Sequence, residues 1–305
     1  MSLLNTTATE LPWLWAGLAA YGVATVAALG SLITLPRHAG VSATPVQPRY
    51  EMPVLWGLVI GVVLLTMALG AIIFSLMGYN GLGAVIEIFT KPITNPLKWQ
   101  DLGVKAAPLV IIGVGLSIAY RANVWNIGAE GQYVAGAMAG TAIALLTMGM
   151  DGPWVLPAMI LAGMLGGMVW GAIPALLKTE FGVSEILTSL MLNYAIVQLL
   201  GYLLRGPWRD PMGFSFPQTP LFTASQSLPY LWRGTIMHWG VPIALLVALV
   251  AWFIMTRSVF GFRIRVVGSA PNAARYGGFS ATKTIWLALL VSGGLAGLAG
   301  VLEAA

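Results

Sequence analysis

Apolar runs of about 20 residues, long enough to cross the hydrocarbon core of a bilayer, recur from one end of this 305-residue chain to the other. Only 8% of the residues are charged, against roughly 25% in a soluble domain. A water-soluble fold with this balance could not cover its own surface. The runs are long and continuous, whereas a β-barrel would show short segments of alternating polarity. The expected fold is therefore an all-α, polytopic helical membrane protein.

About eight spans are predicted, near 11–35, 53–78, 106–120, 129–149, 154–177, 186–204, 236–256 and 285–305. The third is short for a full crossing. Met1 to Glu10 lacks a basic region, and the run after it is too long for a cleavable signal, so 11–35 is expected to be a span. The chain stops at VLEAA inside an apolar run, and a fragment of a longer protein is expected. Pro174 is expected to kink its helix.

Cations set the orientation. The segment 257–283 holds Arg257, Arg263, Arg265, Arg275 and Lys283 and no acid, which places it in the cytoplasm and the N-terminus outside. The net charge of +5 thus reports topology and gives no reason to expect a nucleic-acid partner. There is no cysteine, so disulfide and thiolate chemistry are excluded. No GxxxxGK[ST] phosphate loop, HExxH or GxSxG occurs, and the histidines, His38 and His238, are far apart, so nothing supports catalysis or a metal site.

Small residues recur every four positions at Gly57/Gly61, Gly136/Gly140, Gly163/Gly167/Gly171 and Gly293/Gly297, a spacing that lets helix backbones approach closely in lipid. The segment 205–235, rich in Pro, Ser and aromatics, reads as an ordered external loop, with Trp208, Trp232 and Trp239 suited to the membrane interface.

Polar residues concentrate in three places. The first is RANVWNIGAEGQ at 121–132. On a continuous helix Asn123, Asn126 and Glu130 would share one face. Gly128 and Gly131 would weaken that helix by about 1 kcal/mol each, which makes a broken or re-entrant element equally consistent. A carboxylate at mid-membrane costs roughly 2.5–3.5 kcal/mol or more, so at that depth Glu130 would face a partner or water. The plainer alternative is a short cytoplasmic turn with solvated charges. The second is the 257–283 segment, where Pro271 sits at a helix start and Gly277-Gly278 at a stop, so Pro271–Tyr276 reads as a short helix. A helix of that length is unstable alone, so it is expected either to dock on a partner or to lie as a capped connector on the membrane surface. The third is GVSEILTSLMLNYAIVQLLGYLL at 182–204, with a cap at Ser184 or a neighbour, Glu185 in the first turn, and Thr188, Ser189 and Asn193 inside the span as interhelical partners or path-lining groups.

At these three places, in the forms RANVWNIGAEGQYVAGAMAG, GVSEILTSLMLNYAIVQLLGYLLRGPWRDP and GFRIRVVGSAPNAARYGG, the chain resembles the permease subunits of bacterial ABC importers that carry ribose-type sugars and branched-chain amino acids. NIGAEGQ and MLNY…RGPWRDP look most like the nucleoside branch. The resemblance covers roughly 53–305 and leaves 1–52 as an extra N-terminal span with its linker. It implies that Pro271, Asn272, Ala273, Ala274, Arg275 and Tyr276 form the coupling helix that docks on a separate ATPase. It places 126–132 near the translocation path; Asn123, Asn126, Glu130, Gln132 and Asn193, the polar residues in and beside that region, are taken from the residues themselves as the candidate path set. It further implies a second related permease, an extracytoplasmic binding protein that delivers solute, and a location in the bacterial cytoplasmic (inner) membrane. No cofactor is expected in this chain, since ATP and Mg would sit on the ATPase partner. Amides that both donate and accept suit an uncharged, hydroxyl-rich solute, nucleosides before simple sugars, and Trp125, Tyr133 and Tyr194 could stack on a base. The competing reading is a secondary transporter with Glu130 as proton carrier and no ATPase.

Overall fold

The structure, a computed structural model, describes residues 51–214, 216–232 and 234–305. The expected span at 11–35 and the linker up to residue 50 lie outside the described residues. The chain groups into two compact units, Met1–Lys98 and Trp99–Ala305.

In the first unit, α1 (Glu51–Leu76) and α2 (Gly81–Thr94) form a helical hairpin. Asn80 starts α2 by accepting a hydrogen bond from the Gly83 amide at 3.0 Å. A Cβ at Gly81 would lie 1.9 Å from the Ala71 carbonyl oxygen, so the hairpin closes backbone against backbone. No span was predicted over α2, whose apolar pattern is interrupted by Glu87, Lys91 and Pro92.

The helix α3 (Pro96–Arg121) leads into the second unit, which continues with α4 (Ala129–Leu146), α5 (Val155–Phe181) and α6 (Glu185–Arg205). It closes with α7 (Gly240–Arg257), α8 (Val259–Ser269), α9 (Pro271–Tyr276) and α10 (Ala281–Ala304). The span predicted at 106–120 is the second half of α3; its polar first turns, with Lys98, Asp101 and Lys105, hid the helix in the sequence. The helix α5 runs unbroken through Pro174.

Six helices among the described residues are long and apolar enough to cross a membrane: Trp56–Leu76, Leu97–Arg121, Val155–Phe181, Glu185–Arg205, Gly240–Arg257 and Ala281–Ala304. The expected count of about eight is not confirmed among the described residues. One run lies outside the described residues, and the run at 129–149 forms α4, whose polar first turn keeps it out of this set.

Helices α4, α5 and α10 pack on one another more extensively than any other elements. Their glycines make this possible. A Cβ at Gly167 would lie 2.1 Å from the Gly293 carbonyl oxygen, and one at Gly297 would lie 2.2 Å from that of Gly163. Lipid tails are as apolar as leucine, so close packing of small residues replaces hydrophobic sorting as the force that joins such helices.

Between α6 and α7 the described residues form no helix, as the lack of a helical period predicts. Gln226, fully buried, pins this segment: its side-chain amide donates to the Ala144 carbonyl at 2.8 Å and its carbonyl accepts from the Thr223 amide at 3.0 Å. The end of α3 meets α8, which packs on α9 and α10, and Trp286 of α10 donates to Thr179 of α5 at 3.1 Å.

Candidate functional site

The 121–132 stretch is a break between two helices. Asn123 makes it, with φ 57° in the left-handed region that asparagine enters more readily than most residues. The Asn123 amide donates to the Tyr120 carbonyl and the Val124 amide to that of Ala119, both at 3.0 Å. This is a Schellman closure with asparagine at the left-handed position, and Val124 and Ala119 lie in one buried apolar cluster, supplying its usual hydrophobic contact.

The glycines of the stretch serve close approach. A Cβ at Gly128 would lie 2.7 Å from the Ser189 Cβ, and one at Gly131 would lie 2.6 Å from Asn193 Oδ1. That proximity has a purpose. The first amides of a helix lack intrahelical partners, and Asn193 of α6 supplies one: its Oδ1 accepts from the Gly131 amide at 2.9 Å, while its Nδ2 donates to the Ile127 carbonyl at 3.3 Å. The N-terminus of α4 is thus capped from another helix.

Asn126 and Gln132, each 1% exposed, form a reciprocal amide pair. Asn126 Nδ2 donates to Gln132 Oε1 at 2.8 Å, and Gln132 Nε2 donates to Asn126 Oδ1 at 3.0 Å. Asn126 Nδ2 also donates to Ser292 Oγ of α10 at 2.8 Å, so the break is tied to the buried helix of the bundle. Buried amides must be paired in this way, since an unsatisfied one costs about 1–3 kcal/mol.

A third tie involves Glu185, which is buried and ion-paired with Lys178 across the α5–α6 turn. The Trp125 amide donates to Glu185 Oε1 at 3.4 Å. Ser184 occupies the cap position of α6 without a side-chain cap bond, which corrects the capping expected of it.

Of the five residues singled out for the path, the structure brings Asn126, Gln132 and Asn193 together as buried, hydrogen-bonded groups. Asn123 and Glu130 are exposed. Among the aromatics, Trp125 and Tyr194 are exposed and Tyr133 packs beside the core. Ser292 and Lys178 were not singled out from sequence. A serine in a glycine-rich apolar run, VSGG, was the available signal for the first.

The helix α9 covers Pro271–Tyr276, as the sequence predicts, with Pro271 at its first position. The Gly278 amide donates to the Arg275 carbonyl at 3.1 Å and the Phe279 amide to that of Ala274 at 2.9 Å. Gly278, at φ 78°, closes this second Schellman turn. Ala274 is buried; Pro271, Asn272, Ala273, Arg275 and Tyr276 are exposed. Phe279 is held against α8 by the Arg263 guanidinium, 5.6 Å over its ring, and by the edge of Phe262. Among the described residues no three His, Asp or Glu side chains cluster as metal ligands would.

Residues 100–305 match the family described as branched-chain amino acid transport system permease component. Among characterised relatives, the chain is 32% identical to the glucose ABC transporter permease protein TsgB13 of Haloferax volcanii, over 85% of this chain and 71% of that one. It is 31% identical to the guanosine ABC transporter permease protein NupP of Bacillus subtilis, over 79% and 69% of the two chains. It is 29% identical to the nucleoside ABC transporter permease protein NupB of Lactococcus lactis, over 76% and 66%. No solved structure matches the chain.

Proposed function

The chain belongs to the family of branched-chain amino acid transport system permease components, as an ABC permease of the nucleoside and simple-sugar branch, and from that premise we propose that it imports nucleosides by ATP-driven alternating access. The observation that carries this reading is the agreement of two independent features. Relatives named for guanosine and nucleosides align over most of the chain, and α9 presents five exposed residues on one short helix that needs a surface to dock on.

In this reading α9 seats in an ATPase subunit, which holds the ATP and Mg. A second related permease completes the membrane domain, an extracytoplasmic binding protein delivers solute to the face that carries the 205–235 loop, and the assembly sits in a bacterial inner membrane. Asn126, Gln132 and Asn193 hold the shape of the break, while Asn123 and Glu130 are the members of the set left open toward a solute. Closure of the ATPase pair moves α9, and the spans tilt around the path.

A simple sugar is the second reading, favoured by the glucose permease among the relatives. Uptake of labelled adenosine, guanosine, uridine, ribose and glucose, in cells with and without the gene, separates the two. Loss of nucleoside uptake alone supports the proposal; loss of sugar uptake alone replaces the solute and keeps the importer. Arg275→Glu reverses the charge on the docking helix and is expected to abolish uptake. Normal uptake in that variant would sink the docking assignment and favour a secondary transporter.

A further inference from the structure

We propose that Gly268 is the positioning residue through which movement of α9 enters the break at 122–128. The inference rests on α9 being the ATPase-docking helix. A Cβ at Gly268 would lie 2.1 Å from the Arg121 carbonyl oxygen and 3.0 Å from the Ala122 carbonyl carbon, so the end of α8 meets the end of α3 backbone against backbone. No flexible side chain stands between the two to absorb a displacement.

The geometry on either side of this contact is stiff. Between α8 and α9, the Ala270 amide donates to the Val266 carbonyl and the Ala274 amide to that of Ala270, both at 2.9 Å, and Phe279 is clamped onto α8. The two helices therefore move as one piece. Gly261 lies seven residues before Gly268, on the same helix face, and its Cβ would lie 2.4 Å from the Met255 carbonyl oxygen at the end of α7. Thus α8 bears on α7 at one end and on α3 at the other, like a lever with Gly261 as the support.

Beyond Arg121 the break has three outlets. Val124 sits in the apolar core, the Trp125 amide is held by Glu185, and Asn126 is bonded to Gln132 and Ser292. A push at Gly268 therefore reaches α4, α5, α6 and α10 through groups that have no slack. Contiguity alone does not demonstrate coupling, so the test must read coupling itself.

The experiment uses the complete importer with its ATPase, second permease and binding protein. For Gly268→Ala, the ATPase subunits are expected to stay bound and ATP hydrolysis to persist, while solute moved per ATP falls roughly 5–150-fold, the span of coupling free energies between sites. Solute moved per ATP at the wild-type value would overturn the proposal. Because that variant could fail to fold, a second measurement leaves Gly268 in place. This chain has no native cysteine, so Arg121→Cys and Ser269→Cys, both at exposed positions, give a single spin-labelled pair beside the contact. Their distance is expected to be the same in nucleotide-free and ATP-bound complexes. A change in that distance means the two backbones slide, which overturns the proposal whatever the first variant does. If the wild-type complex couples ATP hydrolysis to no nucleoside or sugar uptake, the importer reading itself fails, and this inference falls with it.

Discussion

Helices α1 and α10 are both long enough to span a bilayer, and α1 is the more apolar of the two, yet α10 is 67% buried over its most apolar stretch while α1 is 0% buried among the described residues. Apolarity therefore does not decide which helix is buried. In lipid it places a helix in the membrane without choosing its neighbours. The choice falls to small residues. In α10, Gly293 and Gly297 meet the backbone of α5, and Gly300 meets that of α4, where its Cβ would lie 2.1 Å from the Tyr133 carbonyl oxygen. In α1, Gly57 and Gly61 share the same four-residue spacing, and nothing described lies within 4 Å of either added Cβ. One pattern has two fates, depending on whether a complementary groove faces it.

The sharpest way to break this comparison is to substitute both helices alike. Gly297→Leu is expected to cost about 3 kcal/mol or more, at the top of the overpacking range, and to lower the melting temperature and yield in detergent. Gly61→Leu is expected to change stability by less than about 0.5 kcal/mol. Equal losses in the two variants would show that α1 also carries a tightly packed backbone contact.

A smaller difference is expected between the hydroxyls of the two helices. Ser292 accepts a hydrogen bond from buried Asn126, whereas Thr66 in α1 donates only to its own helix, at the Val62 carbonyl. Ser292→Ala removes one partner of a buried amide and is expected to cost about 1 kcal/mol, with Asn126→Leu costing about 1–3 kcal/mol because it strands Gln132. Thr66→Val is expected to be neutral within about 0.5 kcal/mol. Thermal scanning of the three variants decides; a neutral Asn126→Leu would remove the amide pair as the device that holds the break.

The smallest effect is a pH dependence near the far end of α10. His238 Nδ1 accepts from the Gly240 amide at 3.1 Å and so caps α7 as the neutral ring. Burial pushes its pKa below the usual value, opposed in part by Glu303. A base whose folded pKa lies below its unfolded one contributes its full stability above the unfolded value, about 6.5. That contribution is lost as pH falls from there through the folded pKa. The melting temperature is therefore expected to decline below about pH 6.5, and His238→Asn, which keeps an acceptor without titrating in this range, is expected to flatten that part of the profile. An unchanged profile would remove His238 as its source.

The short helix α9 was legible because its signals are local. Proline at the first position and two glycines at the end fix Pro271–Tyr276 by backbone geometry, and the structure places it at the same residues. The break at 121–132 was legible as one of two readings, since its glycines spoke against a straight helix. Its cause was not. Asn123 takes the left-handed turn, and Gly128 and Gly131 make room for α6, a division of labour that depends on a helix more than fifty residues away. The full extent of α3 was hidden because its first turns are polar, and α4 read as a span although its start belongs to the site.

The sequence by itself determined that the chain lies in a membrane, because the apolar runs leave no other solvent for it. It also determined where α9 starts and stops, because proline and a positive-φ glycine act within a few residues. Only the tertiary structure decided which glycine ladder is buried and which polar residues are satisfied by one another. It alone decided, too, that Gly268 rests on Arg121. Those outcomes depend on pairs of surfaces brought together from distant segments, and no local pattern carries the identity of its partner.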